Sequence, residues 1–149
     1  MPYKRILVTT DGSPLSEKAV NHAVDLAASM DAELFVLKVL PCYPQYYFEG
    51  SIALPTSEIE RIEKLWADEG EAIVEAAKKV AEERGVKVST ILMRGDVISS
   101  AIIEAAKAHN VDLIVMASHG RKGVERLLLG SETQQVLVHA KKTPVLVLR

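Results

Sequence analysis

The chain has a single cysteine, Cys42, among 149 residues, so no internal disulfide can form. No Cys/His group stands at zinc-site spacing, and the reducing cytoplasm is the default compartment. It also lacks an excess of charge of either sign: 18 basic and 20 acidic side chains give a net charge of -2, interspersed along the chain. A broad basic footprint is therefore missing, and nucleic acid is not expected as a main partner. Apolar runs stay short, and Met1, Pro2 and Tyr3 lead directly into a strand of ordinary length. Neither a signal peptide nor a membrane span is expected. Glutamine and asparagine are scarce beside Lys, Arg and Glu, a balance that heat-adapted proteins favour. Several phosphate-binding signatures are absent as well. The turn Asp11-Gly12-Ser13-Pro14 is neither GxGxxG nor a P-loop, which removes the ordinary dinucleotide and P-loop readings. There is no second acid beside Asp11 and no lysine after the last strand, as a receiver domain would need. An adenylyl-transferring enzyme is disfavoured because no HIGH-type histidine pair and no SGGxDS loop occur.

What is present is one domain's worth of alternating elements, spanning 1–149 and long enough to bury roughly two thirds of its unfolded surface. Residues 4–10 form a first apolar strand, stopped at Asp11 and Gly12. Ser13 is an N-cap residue and Pro14 suits the first helical position, where its missing N–H costs nothing. The helix that follows carries Ala19, Ala23, Leu26, Ala27 and Met30 on one face and should end near Asp31. Residues 33–40 are a second strand, closed by Pro41. Between 41 and 56 periodicity fails: prolines flank Tyr43, Tyr46, Tyr47 and Phe48 in one irregular loop, a length usually associated with function or mobility. The aromatics there either pack on the next helix or form a lid or partner site.

Ser57 with Glu60 has the form of a capping box, opening a helix with Ile59, Ile62, Trp66, Ile73, Ala77 and Val80 that runs to Gly85. At about 1.5 Å per residue it is ~40 Å long, longer than a typical strand, so one end should overhang the sheet. Residues 86–93 alternate like a half-covered edge strand. Asp96 is the expected cap of a helix bearing Val97, Ala101, Ile102, Ala105 and Ala106, and Asn110 its left-handed stop. Residues 111–116 are a branched apolar run, the pattern of a strand covered on both faces. The last strand is 143–149. The order βαβαβαβαβ implies an α/β fold: a single doubly wound five-stranded parallel sheet with helices on both faces. Strand order 3-2-1-4-5 would put the turns after the first and fourth strands in one crevice, where such sheets bind ligands.

The second of those turns is the richest stretch of the chain. Ala117, Ser118, His119, Gly120, Arg121, Lys122 and Gly123 form a small-residue loop with two cations, followed by Gly130 and Ser131. Ser131 with Gln134 makes a capping-box signature, so a helix should start there. A helix start has free N–H groups and a partial positive charge, and a preceding glycine lets an anion approach the backbone. The same residues have structural readings. Ser131 caps its helix with or without a ligand, and Asp11 serves equally to cap a turn. Glu132 places a carboxylate in the first helical turn; at ~7 Å and an effective dielectric of ~20 it would repel a unit negative charge by roughly 2 kcal/mol, which Arg121 and Lys122 can offset. His119 has no evident acid or nucleophile partner, and His22, His109 and His139 look like helix-surface residues. None is assigned catalysis or metal binding, and Cys42 is taken as inert.

With its spacing of Ala117, two residues, Gly120, nine residues, Gly130 and Ser131, the chain resembles the universal stress protein family in its ATP-binding branch. The family pattern is kept apart from its first glycine, here Ala117. The opening residues 6–13 and the closing 143–147 extend the likeness to nearly the whole chain. The resemblance implies a Rossmann-like, adenine nucleotide alpha hydrolase-like fold and a nucleotide-dependent switch or chaperone-like stress protein that binds ATP with Mg2+. It implies that Asp11 reaches the ribose or a phosphate-bound Mg2+, and that the main chain of Val39 contacts adenine. It further implies that Thr9, Met116 and Ala117 line the ribose side, with Gly120, Arg121, Gly130, Ser131 and Thr133 as the phosphate shell. No general base is evident, so hydrolysis should be slow at most. The last strand, with Val145, Leu146 and Val147, would be an open apolar edge that a twofold antiparallel homodimer covers, as the resemblance also implies. The alternative is a nucleotide-free dimeric interaction module of the same fold, whose loop and overhanging helix bind a protein.

Overall fold

The computed structural model describes residues 3–42, 55–120 and 129–149. The aromatic stretch 43–48 and the cations Arg121 and Lys122 lie outside the described residues. A parallel five-stranded sheet has the order β3-β2-β1-β4-β5, as the alternation of elements predicts. Its strands are β1 (Arg5–Thr9), β2 (Glu33–Leu40), β3 (Val88–Arg94), β4 (Leu113–Ala117) and β5 (Val145–Leu148). The helices are α1 (Pro14–Met30), α2 (Thr56–Glu83), α3 (Ile98–Ala108) and α4 (Ser131–His139). β1 lies between β2 and β4, with Leu7 opposite both Phe35 and Ile114.

Side chains alternate across the strands, and each face has its own helix layer. Ile6, Val8, Leu34 and Val36 face Ala23 of α1 and Val74 of α2. Leu7, Leu37 and Ile114 face Ile102 of α3 and Val136 of α4. Ile6, Leu7 and Val8 lose all exposure, so each side chain contributes about 1.5–3 kcal/mol of transfer free energy. This is why β1 carries no polar residue between its ends. β3, by contrast, is only half-buried along most of its length, as its alternation and edge position require.

The start of α1 follows the local signals: Ser13 Oγ accepts the Ser16 N–H at 3.3 Å, Pro14 opens the helix, and Asp31 closes it with φ 55°. Asn110 likewise adopts φ 52° after α3. Three other caps differ from expectation. α2 is capped by Pro55, whose carbonyl accepts Glu58 N–H, rather than by a Ser57–Glu60 box. α3 begins after Val97, not on an Asp96 cap, and Val97 is 54% exposed. α4 is preceded by Gly130 as its N-cap, so Ser131 is the first helical residue and makes no cap bond. In α2 the contact face also shifts: Val74, Ala77 and Ala81 are buried whereas Val80 is exposed. No residue of α2 before Gly70 is buried, so its N-terminal half overhangs the carboxyl ends of the strands. Arg94, at the end of β3, ties that half down through Glu63 at 3.4 Å and the Pro41 carbonyl at 2.9 Å.

Candidate functional site: the cleft at the carboxyl ends of β1, β2 and β4

The sheet order reverses between β1 and β4, and the turns leaving these strands diverge to opposite faces, which opens a crevice there. The first turn is a closed hydrogen-bond circuit. Thr10 Oγ1 accepts Gly12 N–H at 3.2 Å and pairs with Ser16 Oγ at 3.0 Å. Ser16 Oγ donates to Ser13 O at 3.0 Å and accepts Asp11 N–H at 3.3 Å. Asp11 Oδ1 accepts Ser13 N–H at 2.9 Å. This fixes the carboxylate: its Oδ2 lies only 2.8 Å from where a Cβ on Gly120 would stand. Only a glycine at 120 lets the two turns meet this closely.

The second turn is stitched back onto the sheet. Ser118 N–H donates to Leu148 O at 2.7 Å, and Gly130 N–H donates to Ser118 O at 2.7 Å. Thr133, 2% exposed, gives its hydroxyl hydrogen to the Ala117 and Ser118 carbonyls at 2.9 and 3.1 Å. A Cβ on Gly130 would stand 3.1 Å from Ser118 O and 3.2 Å from His119 Cα. The cap of α4 is therefore a glycine because the backbone of 118–119 passes against it. The expected free amide at Gly130 is spent on the protein itself, and Gln134 Nε2 turns to Leu129 O at 2.8 Å.

The resulting cleft has an accessible volume of about 130 Å³. Of the residues expected at a site, Thr9, Asp11, Val39, Met116, Ala117, Gly120 and Thr133 line it. Gly130 and Ser131 are not among the lining residues, and Arg121 lies outside the described residues. Sequence reasoning did not anticipate Thr10, Ser16, Lys38, Ile98 and Ile102 on the lining. His119 and Glu132, which it weighed, are also there. The spacing of Ser13 and Ser16 was a usable signal for the circuit. Nothing local marks Ile98 and Ile102, which arrive from α3.

Three details bear on what the cleft can hold. Thr10 N–H donates to Leu37 O at 3.0 Å, and alternation along a parallel strand aims the N–H and C=O of Val39 at that same edge of β2, where β1 has already ended at Thr9. Ala117 is a strand residue, and the positive-φ non-glycine residues are Asp31 and Asn110 alone among the described residues. Glu132 accepts the backbone N–H of Ser99 through Oε2 at 3.0 Å. Among the described residues every buried side-chain N or O atom has a hydrogen-bond partner, and no group of three or more His, Cys, Asp and Glu forms a metal cage. His119 Nδ1 pairs with Ser118 Oγ at 3.1 Å. Cys42 is not part of this lining; burial first, then a hydrogen bond to Asp96, raises its thiol pKa.

Comparison with known proteins gives a consistent result. The profile of the universal stress protein family matches residues 2–149. The universal stress protein MJ0531 of Methanocaldococcus jannaschii is 40% identical over 147 residues, covering 99% of this chain and 82% of that protein. The solved structure of MJ0577 from the same organism superposes with a TM-score of 0.83 at 28% identity, covering 99% of this chain and 96% of that one. A solved universal stress protein in complex with cAMP superposes at 0.68 with 27% identity, covering 100% and 98%.

Proposed function

This chain belongs to the universal stress protein family, and we propose that its cleft binds an adenine nucleotide, ATP with Mg2+, as the input of a regulatory or chaperone-like switch. The observation that carries the reading is the meeting of two turns: the Asp11 carboxylate held against Gly120 at the mouth of a cleft whose inner edge is the main chain of Val39. A carboxylate accepts ribose hydroxyls, and an open strand edge offers adenine the N–H and C=O pair it needs. The family member in complex with cAMP supports an adenine ligand at this fold. At about 130 Å³ the described lining is smaller than the 300–1,000 Å³ usual for ligand pockets. A base and ribose would occupy it first, with phosphates toward its open mouth beside Asp11 and Gly120.

Mg2+ fits this arrangement in one way only. It is commonly held by one or two carboxylates plus the phosphates of the nucleotide, and Asp11 is the carboxylate placed for that. Glu132 is engaged with Ser99. When bound, the ion would neutralise phosphate charge. The candidate bases that line the cleft are each engaged with the protein, Asp11 with Ser13 N–H, Glu132 with Ser99 N–H and His119 with Ser118 Oγ, so turnover should be slow at most. In our reading the working form is a cytoplasmic homodimer paired through the β5 edge.

Calorimetry with ATP and Mg2+ tests this. Asp11→Asn keeps the acceptor for Ser13 N–H and removes only the charge, so saturable micromolar binding should weaken by about tenfold. Silence from the wild-type protein favours instead a nucleotide-free interaction module, for which the overhanging half of α2 is the specific support.

A further inference from the structure

Glu132 sits in the first turn of α4, where a carboxylate ordinarily satisfies the positive end of its own helix. Here it reaches across to α3 and takes the Ser99 N–H at 3.0 Å, 33 residues away in sequence. That bond holds the side chain on the cleft wall beside Ile98 and Thr133 instead of in bulk water. The described lining then carries two carboxylates, Asp11 and Glu132, against one ammonium, Lys38. A cleft with low-dielectric walls focuses such an imbalance.

We infer that Glu132 is a specificity-determining residue that penalises phosphate charge, an inference that rests on the nucleotide reading above. Its repulsion grows with each charge on the ligand. A nucleoside feels almost none of it, a monophosphate some, and a metal-free triphosphate most. Mg2+ on the phosphates relieves it. The cleft therefore ranks adenine ligands by net charge, favouring the monophosphate class and metal-complexed triphosphate over free triphosphate.

The test is calorimetric titration with adenosine, AMP and ATP in chelator and low salt, on wild-type protein and Glu132→Gln. Glutamine retains an oxygen for Ser99 N–H, so the cap of α3 persists and matched melting curves confirm it. Glu132→Gln should tighten metal-free ATP by about tenfold, AMP by less, and adenosine by under about twofold. Raising salt to ~0.5 M should shrink the difference. If Gln shifts adenosine as much as ATP, or leaves both unchanged, the charge role is wrong and Glu132 only caps α3. If neither protein binds any of the three, with or without Mg2+, the nucleotide reading itself falls and this inference with it.

Discussion

Thr133→Val isolates the bond that fastens α4 to the sheet. The two side chains have nearly the same shape, both are β-branched and their helix propensities are close, so backbone terms cancel. What is lost is the hydroxyl that donates to Ala117 O at 2.9 Å and Ser118 O at 3.1 Å from a position 2% exposed. Ser118 O keeps the Gly130 N–H at 2.7 Å, so most of the penalty falls on Ala117 O, an acceptor at the buried end of β4. A lost hydrogen bond costs about 1 kcal/mol net, and a buried acceptor left unpaired about 1–3 kcal/mol. The expected loss is therefore about 1–2 kcal/mol, read as a lower urea midpoint at unchanged slope. In a chain of this length it lowers Tm by roughly 2–8 °C. Thr133→Ser, which restores the hydroxyl, should recover more than half of the loss. A valine variant within ~0.3 kcal/mol of wild type, or a serine variant no better than valine, would refute the idea that this hydroxyl anchors the helix.

Gly130→Ala places a methyl 3.1 Å from Ser118 O and 3.2 Å from His119 Cα; because both neighbours are backbone, a cost of about 1–3 kcal/mol is expected in the same unfolding assay. Gly120→Ala meets only the tip of the Asp11 side chain at 2.8 Å, so it should leave stability within ~0.5 kcal/mol and weaken nucleotide binding instead. The Cys42 thiol pKa is raised by burial and by Asp96, so its thiolate fraction at pH 7–8 is low; iodoacetamide should label it more slowly than a free thiol, and Asp96→Asn should speed labelling. Leu148 O and Pro144 O accept from β4, so alternation points the Val147 N–H at the open edge of β5. Val147→Pro should convert a dimer into a folded monomer in sedimentation equilibrium, whereas a dimeric proline variant or a monomeric wild type would exclude pairing through that edge.

The sheet was legible because its signals are local and redundant. The apolar run Ile6, Leu7 and Val8 forms a strand that is fully buried, and the alternation of 86–93 matches the half-buried edge strand β3. The caps were misread at Ser57, Asp96 and Ser131 for one physical reason. Each signature locates a helix start to within about two residues, but which group satisfies the free N–H groups is decided by the surrounding structure, at α2 by the nearby Pro55 carbonyl and at the other two by neighbours distant in sequence. At α3 that neighbour is Glu132 of another helix, and at α4 it is the carbonyl of Ser118. Asp11, Val39 and Gly120 were legible as cleft residues because topology alone puts strand ends there. Ile98, Ile102 and Lys38 were not, since their placement depends on how α3 and β2 pack.

The replacement of the first glycine in the Ala117, Gly120, Gly130 spacing follows the same division. A glycine is indispensable where φ must be positive or where another chain segment leaves no room for Cβ. Gly130 meets the second condition, against the backbone of 118–119, and Gly120 keeps clear the place where the tip of the Asp11 side chain stands. Residue 117 meets neither: it is the last residue of β4, paired with Leu148 in regular register. Alanine there carries no conformational penalty, because its backbone is regular strand without a positive φ. Alanine at the end of β4 therefore leaves intact the turn that presents Gly120 to Asp11.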